Sequence, residues 1–442
     1  MENELFEKTP VPKAYLKLAV PLVTSMIVTM VYNLADTFFI AQTGDTDIIA
    51  AVSLCGPVFT MLMAFGNIFG QGGSSLISRK LGAKDAEGAR RASAFCFYGA
   101  LLVGAALGVL MLLLQGPALS LLGADDATRP HALPYYATLA VGAPFVVGSF
   151  IHSNLLRAEG MSKESMIGTV GGAIVNIILD PLFISVLGMG ALGAAIATVL
   201  GYIFSVVYFF TIVIRKSRTL SVRPADCRVT RPDAVQIFGI GIPAAITNLC
   251  SSACMILTNQ YLLPYGNDRI AAMGIVLKVV MIAQLVLTGL AFGGQPLIGY
   301  FYGSRNRGRM KELIRFSFLF IAVVAIILSG ILFLAANPIL RLFLSDTGLV
   351  GAGVVMLRWQ VSTSILAAFV QLFTIYFQST GHMLGSFLLS ISRQGVVFVL
   401  ALLIGAALFG YTGIIAAQAA ADAVSFLAAA VLFRAQLWKE LV

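Results

Sequence analysis

Two aspartates, Asp36 and Asp180, lie deep inside apolar segments long enough to cross a membrane. Asn33 precedes Asp36 by three residues and Asn176 precedes Asp180 by four, and these spacings place each pair on one face of an α-helix. A carboxylate at the bilayer centre is unfavourable by about 2.5–3.5 kcal/mol on insertion scales, so such residues usually face a protein interior and handle ions or protons. A hydrogen bond that only joins two helices is the alternative.

A hydroxyl from a third apolar segment, that of Thr198, completes the polar set. Carboxylate, amide and hydroxyl oxygens suit a hard cation such as Na⁺, whereas a close pair of carboxylates can instead hold a proton. Asp36, Asn33, Asn176, Asp180 and Thr198 therefore form a candidate coupling site for H⁺ or Na⁺. No cofactor is expected, because the five cysteines and three histidines form no metal-binding motif.

The composition is that of an integral membrane protein. Of the 442 residues, 59% are hydrophobic and 11% are charged, compared with about 25% charged residues in soluble domains. Residues 1–12 lack the basic and apolar regions of a secretory signal, so we expect the first apolar segment to remain as a membrane span. Segments of at least about 20 apolar residues predict twelve membrane-spanning helices and an all-α fold, near residues 15–41, 48–78, 91–114, 132–157, 165–187, 192–214, 234–263, 270–300, 313–335, 350–378, 384–406 and 412–434.

The basic residues predict the orientation in the membrane. With the N-terminus in the cytoplasm, most of the 29 Lys and Arg residues lie at cytoplasmic ends, and only Arg129, Arg269, Arg341 and Arg358 lie outside. An even number of spans then places both termini in the cytoplasm. The net charge of +9 is explained by this topology and by contact with anionic lipid, so a nucleic-acid partner is not expected.

One internal repeat, with an offset of about 221 residues, relates the two halves of the chain. The matching pairs include Gly72-Gly73 with Gly293-Gly294, Pro21 with Pro243, and Gly160 with Gly381. Each half holds six spans, so both halves have the same orientation, as in transporters built from parallel repeats. We predict an N-terminal lobe with the cation site over residues 1–217, a cytoplasmic linker over 218–232 and a C-terminal lobe over 233–442.

The repeat kept the scaffold but not the carboxylates. Leu257 and Ala401 stand where the first half has Asp36 and Asp180. The second half instead carries Lys278, Arg393 and Asp422 within its spans. These three charges are a possible C-lobe polar network, either structural or involved in handling substrate.

Pro21 lies in the first span, fifteen residues before Asp36. Proline removes a backbone donor and can kink a helix. A fixed kink is one interpretation, and a hinge that responds to the state of Asp36 is the other.

Four segments make the chain resemble the multidrug and toxic compound extrusion (MATE) transporters over essentially its whole length. They are YNLADTFFIAQTGD in the first span, NLLRAEG after the fourth, VNIILDP in the fifth and FGGQPLIGYFYG in the eighth. Within that family the chain is similar to the DinF-like and MepA-like bacterial branch. The resemblance carries the family's coupling residues onto Asp36, Asn176, Asp180 and Thr198, where Na⁺ is possible. Spans seven and ten contain no Asp or Glu, so the C-terminal cation site of the NorM-like branch is not expected.

The resemblance implies a V-shaped two-lobe transporter in the bacterial cytoplasmic membrane, acting as a monomer. It would export amphipathic or cationic drugs in exchange for H⁺ or Na⁺ by alternating access, with lipid and small molecules as its partners. A lipid-linked precursor flippase of the same superfamily is the closest alternative. An enzyme is not expected, because no cluster of His, Cys or acidic residues lies near a membrane interface.

Overall fold

A computed structural model describes residues 4–343 and 346–441, without the side chain of Asn267. These residues form helices and no strand. Twelve helical segments are long and apolar enough to cross a membrane, which confirms the predicted number within the described part of the chain. In order they are Val11–Ala41, Thr46–Gly82, Ala86–Leu113, Arg129–Ala158, Ser162–Val186, Gly190–Arg215, Arg231–Tyr265, Asp268–Gly303, Arg307–Leu334, Thr347–Thr380, Met383–Phe409 and Tyr411–Leu441.

Several spans are made of more than one helix. The second comprises Thr46–Leu54 and Gly56–Gly82, the eighth Asn267–Gly293 and Gln295–Gly303, and the tenth Thr347–Ser362 and Ser364–Thr380. The eleventh comprises Met383–Ile391 and Val397–Phe409, with non-helical backbone at Gln394 and Gly395 between them. Short helices outside the spans cover Glu4–Glu7, Gln115–Leu121, Pro224–Asp226 and Ala336–Arg341.

The chain divides into two compact units. The beginning of the first span belongs to the C-terminal unit, and the beginning of the seventh span belongs to the N-terminal unit. The N-terminal unit contains Thr24–Ala245, and the C-terminal unit contains the residues up to Val23 and those from Ile246 onward. The predicted lobes divided the chain in the linker, at residues 218–232. The structure instead assigns the beginning of the first span to the C-terminal unit and the beginning of the seventh span to the N-terminal unit.

In the N-terminal unit, the beginning of the seventh span packs directly against the second span. A Cβ atom added to Gly241 would lie 1.9 Å from the carbonyl oxygen of Ile68, so the two backbones are in contact. Lys80 Nζ lies 3.4 Å from a carboxylate oxygen of Asp233 and 3.1 Å from one of Asp85. The backbone N–H of Gly88 holds the pKa of Asp85 below its usual value. These contacts explain why this half-helix belongs to the N-terminal unit.

The C-terminal unit holds the beginning of the first span in the corresponding way. The buried Tyr15 hydroxyl donates to the carbonyl oxygen of Leu290 at 2.6 Å, and a Cβ added to Gly293 would lie 2.4 Å from Ala19. The guanidinium of Arg309 donates to the backbone carbonyls of Glu7 and Thr9. The beginning of the seventh span therefore packs against the second span, and the beginning of the first span packs against the eighth.

The predicted linker is folded onto the N-terminal unit. The Glu159 carboxylate accepts hydrogen bonds from the Ser217 hydroxyl at 2.6 Å and from the backbone N–H of Arg218 and Thr219. Tyr98 donates to the carbonyl oxygen of Val222 at 2.8 Å. The linker is thus a fixed connector and not a separate domain.

The substitution Gly241→Ala tests the packing of the seventh span. The added methyl group has no room beside Ile68, so we expect a loss of about 1–3 kcal/mol of stability, typical of overpacking. Gly274→Ala is the matched control, because nothing lies within 4 Å of a Cβ at that position. Thermal unfolding in detergent should show a lower midpoint for Gly241→Ala alone, and equal midpoints would contradict the close contact.

Candidate functional site

The fifth span places Asp180 at the end of its first helix, Ser162–Asp180. Pro181 follows and has no N–H to donate, and the chain continues through a wider helical turn over Pro181–Val186. The Asp180 side chain is completely buried in the N-terminal unit. The sequence VNIILDP therefore ends one regular helix with its carboxylate directed into the protein and not toward lipid.

A close approach of the fifth and sixth spans brings Asn176 next to Thr198. A Cβ added to Gly172 would lie 2.6 Å from the Gly201 carbonyl oxygen, and one added to Gly201 would lie 2.6 Å from the Gly172 oxygen. Only glycines permit helices to pack this closely, as at other small-residue contacts in membranes. The short side chains of Asn176 and Thr198 can therefore meet across the interface.

The Asn176 amide links Asp180 and Thr198 by hydrogen bonds. With its nitrogen facing the carboxylate, it donates to Asp180 Oδ2 at 3.2 Å, and its oxygen accepts from the Thr198 hydroxyl at 3.3 Å. Asn176 and Thr198 are 2% and 8% exposed, so these bonds form away from bulk solvent. Three of the predicted site residues are thus joined directly in the N-terminal unit.

Asp36 on the first span belongs to the same region. Its charge is close enough to that of Asp180 for the two to interact. The Oδ1 atom of Asp36 is buried without a hydrogen-bond partner among the described residues. A buried carboxylate oxygen without a donor is unfavourable, so this atom is suited to accept a cation or a proton.

Asn33 lies outside the cluster, contrary to the expected shared face. Its side chain is exposed, and its backbone carbonyl accepts the Thr37 hydroxyl at 2.9 Å. The residue that shares the buried face with Asp36 is Tyr32, which is 8% exposed. Both spacings place a residue near Asp36 on the helix, and the packing of neighbouring helices selects which of the two sides is buried.

Three tyrosines belong to the site, although the sequence did not single them out. Tyr32 and Tyr135 are close enough to both carboxylates to interact with their charges, and the Tyr32 and Tyr202 hydroxyl oxygens are 3.4 Å apart. A cavity of about 90 Å³ is lined in part by Tyr32, Asn176, Thr198 and Tyr202. Tyr32 precedes Asp36 by four residues and Tyr202 follows Thr198 by four, and this spacing could have identified both.

The C-terminal unit has a different polar cluster, in which side chains of the same unit donate hydrogen bonds to both carboxylate oxygens of Asp422. Asp422 Oδ1 accepts from Arg393 Nε at 2.7 Å and from the Gln418 amide at 3.0 Å, and Oδ2 accepts from the Thr363 hydroxyl at 3.0 Å. Lys278, which was expected as a third member of the network, is exposed and has no ion pair among the described residues. Arg393 and Asp422 thus form a neutral pair, and Lys278 does not join it.

The arrangement in the N-terminal unit can bind one small hard cation or a proton. It offers two carboxylates, one amide oxygen and one hydroxyl, and the described residues contain no group of three His, Cys, Asp or Glu that could hold a metal ion. A cation or proton between Asp36 and Asp180 would remove their mutual repulsion. The cluster is therefore suited to reversible binding of a monovalent cation rather than to catalysis.

Comparisons with known proteins agree along nearly the whole chain. The multidrug export protein MepA of Staphylococcus saprophyticus is 32% identical over 424 residues, and that of Staphylococcus aureus strain MRSA252 is 33% identical over 428. Each alignment covers 96% of this chain and 94% of the relative. A MATE structure in complex with MaL6 and an outward-facing MATE family transporter of the MOP superfamily each superpose with a TM-score of 0.92 at 25% identity, covering 99% of this chain and 98% of theirs.

The MatE family model matches residues 21–182 and again residues 243–403, once in each half of the repeat. The relatives are transporters and not enzymes, as the sequence predicted. Since the two matches together cover more than half of the chain, the protein belongs to the multidrug and toxic compound extrusion (MATE) family of transporters.

Proposed function

We propose that this protein is a secondary active antiporter that exports amphipathic or cationic drugs in exchange for H⁺ or Na⁺. The relatives with 32–33% identity are named multidrug export proteins. The observation that carries the coupling proposal is that Oδ1 of Asp36 is buried with no hydrogen-bond donor among the residues that the structure describes. A cation or proton that binds reversibly would supply the missing partner of this oxygen and so stabilise the site.

Each residue of the proposed site has a distinct part. Asp36 and Asp180 supply the negative charge that attracts the cation. Asn176 holds the Asp180 carboxylate and also contacts Thr198, so it couples the fifth span to the sixth. Thr198 contributes a hydroxyl oxygen at the edge of the cavity.

The two prolines of the repeat support a hinge in the first span. Pro21 lies two residues before the boundary between Val23 and Thr24, and Pro243 lies two residues before the boundary between Ala245 and Ile246. Proline weakens the helical hydrogen bonding at these points. Cation binding at Asp36 would act on the part of the first span that follows Pro21, and alternating access would use this bend.

The proposed orientation places both termini in the cytoplasm of a bacterial cell, with the protein acting as a monomer in the cell membrane. The bias of Lys and Arg toward one end of the spans supports it. Drug would then leave the cell as the coupling cation enters.

The substitution Asp36→Asn should abolish cation-driven export while leaving membrane insertion intact, since the amide cannot exchange a cation or proton at neutral pH. Proteoliposomes given a pH gradient or a Na⁺ gradient separately would show efflux of a fluorescent cation by the wild type, and Asp180→Asn should fail in the same way. Asp126→Asn, at an exposed position of the same unit, is the control. Coupled export by Asp36→Asn at the wild-type rate would refute the site, and transport of lipid-linked sugars without dye efflux would favour a flippase.

Replacing Asn176 and Asn33 separately tests which of the two asparagines contributes to the proposed site. Asn176→Ala removes the contacts with Asp180 and Thr198 and should lower the initial rate of coupled efflux at least about tenfold, as expected for loss of a buried hydrogen-bonded group. Asn33→Ala should keep the rate within about twofold, because its side chain is exposed. An equal decrease in the efflux rate of the two variants would show that Asn33 also contributes to the site.

Pro21→Ala should restore a regular helix and slow the transport cycle without altering cation binding at Asp36. The expected result is a lower maximal efflux rate with an unchanged concentration of H⁺ or Na⁺ at half-maximal rate. Pro243→Ala is the partner variant at the corresponding position of the repeat. An unaltered maximal rate for Pro21→Ala would show that the bend is only structural.

A further inference from the structure

A cavity of about 560 Å³ in the C-terminal unit lies apart from the proposed cation site. It is formed between the short helix Ala336–Arg341 and the first helix of the tenth span, Thr347–Ser362. Its polar lining includes Asn337, Arg341 and Arg358. The volume is in the usual range for cavities that bind small molecules, so it is large enough for a polar headgroup.

Two arginines, Arg341 and Arg358, line this cavity. No carboxylate of the described residues lies within ion-pairing distance of Arg341 or Arg358. The Arg358 guanidinium lies 4.9 Å from the centroid of the Phe333 ring, and this cation–π contact orients it. Both arginine side chains are exposed, so their guanidinium groups are accessible to an anion at this cavity.

The scaffold does not require these arginines, as the repeat demonstrates. With an offset of 221 residues, Asn337-Pro338 corresponds to Gly116-Pro117, at the start of the matching short helix Gln115–Leu121. The Asp346 side chain caps the backbone N–H of Leu349 at 2.8 Å, just as Asp125 caps that of Thr128 at 2.8 Å. At the positions that match Arg341 and Arg358, however, the first half has Ser120 and Ala137. The same local fold therefore forms without the two charges.

The Arg358 guanidinium locates the cavity relative to the end of the ninth span. Arg358 is eleven residues into its helix, or about 16 Å at 1.5 Å per residue. The Arg358 guanidinium nonetheless lies over the ring of Phe333, which is the next-to-last residue of the ninth span. The cavity is thus level with the end of that span, at the side that the sequence predicts to be extracellular.

Large exposed apolar side chains flank the short helix Ala336–Arg341 in the sequence. Leu334 is 82% exposed, Leu342 is 80% exposed and Phe343 is 61% exposed, and all three lie within two residues of an end of that helix. Exposed apolar residues of this size at the end of a span indicate contact with lipid chains. A cationic cavity beside an apolar surface fits an amphiphile with an anionic headgroup.

We propose that this cavity binds the phosphate group of an anionic phospholipid from the adjacent leaflet. The arginine forks of Arg341 and Arg358 would each donate to phosphate oxygens, a geometry that guanidinium groups provide better than ammonium groups. The Asn337 amide and the Thr347 hydroxyl supply further hydrogen-bonding groups at the cavity. The exposed Leu342 and Phe343 favour lipid over free phosphate as the source, because inorganic phosphate would gain nothing from them.

Native mass spectrometry of the purified protein, with short-chain phosphatidylglycerol added at increasing concentration, tests the site directly. We expect the double variant Arg341→Gln/Arg358→Gln to bind this lipid at least tenfold more weakly than the wild type. The matched control is Arg269→Gln, which removes another arginine of the same unit that lies over an aromatic ring, that of Tyr411. Its affinity should stay within twofold of the wild type.

The fluorescence of Trp359, the residue that follows Arg358, provides a second measurement. The chain has two tryptophans, and Trp438→Phe leaves only the one that follows Arg358. Phosphatidylglycerol should change the Trp359 fluorescence with saturation, whereas inorganic phosphate and phosphatidylcholine of the same chain length should require at least tenfold higher concentrations. The variant Arg341→Lys/Arg358→Lys keeps the charge without the fork and should bind with intermediate affinity.

Three outcomes would overturn the proposal. Equal lipid affinity in the wild type and in a folded Arg341→Gln/Arg358→Gln variant, with the same unfolding midpoint, would exclude the cavity as the binding site. Binding of inorganic phosphate as tight as that of phosphatidylglycerol would exclude a lipid as the source. Equal binding of phosphatidylcholine would exclude selection for net negative charge.

Discussion

The hydrocarbon interior of a membrane contains no water, so each polar group there must find its partner within the protein. Backbone groups meet this constraint by forming helices, and carboxylates meet it by facing other polar groups. The approach of the fifth and sixth spans at Gly172 and Gly201 makes this possible, because it allows Asn176 to contact both Asp180 and Thr198. Without that contact, Asp180 would be a buried charge without its amide partner.

The two halves of the repeat solve the same problem in opposite ways. Asp422 accepts hydrogen bonds from three side chains, one of which is its ion-pair partner Arg393, so its charge is neutralised. Within the described part of the chain, Asp36 has a buried oxygen without a donor, and its charge interacts with that of Asp180. A completed ion pair is suited to hold a structure, here beside the helix break at Gln394 and Gly395, whereas an incomplete site is suited to exchange an ion.

Pro21 and Pro243 lie close to the points at which the first and seventh spans pass from one unit to the other. Pro21 and Pro243 occupy matching positions of the repeat, and each lies just before the residue at which its helix passes from one unit to the other. Each helix continues across this boundary without a break, so the sequence pattern alone does not show where it passes from one unit to the other. Contacts of Tyr15 with Leu290, and of Gly241 with Ile68, decide which unit holds each beginning.

The sequence by itself determined the number of spans and the repeat, because length, apolar composition and helical spacing are local properties. It also singled out Asp36, Asn176, Asp180 and Thr198 as candidates for a cation site. Only the tertiary structure decided that Tyr32 and not Asn33 shares the buried face with Asp36. It likewise separated Lys278 from Arg393 and Asp422, and assigned the span beginnings to their units. Helical periodicity orders the residues around each helix, but the packing of neighbouring helices selects the face that is buried.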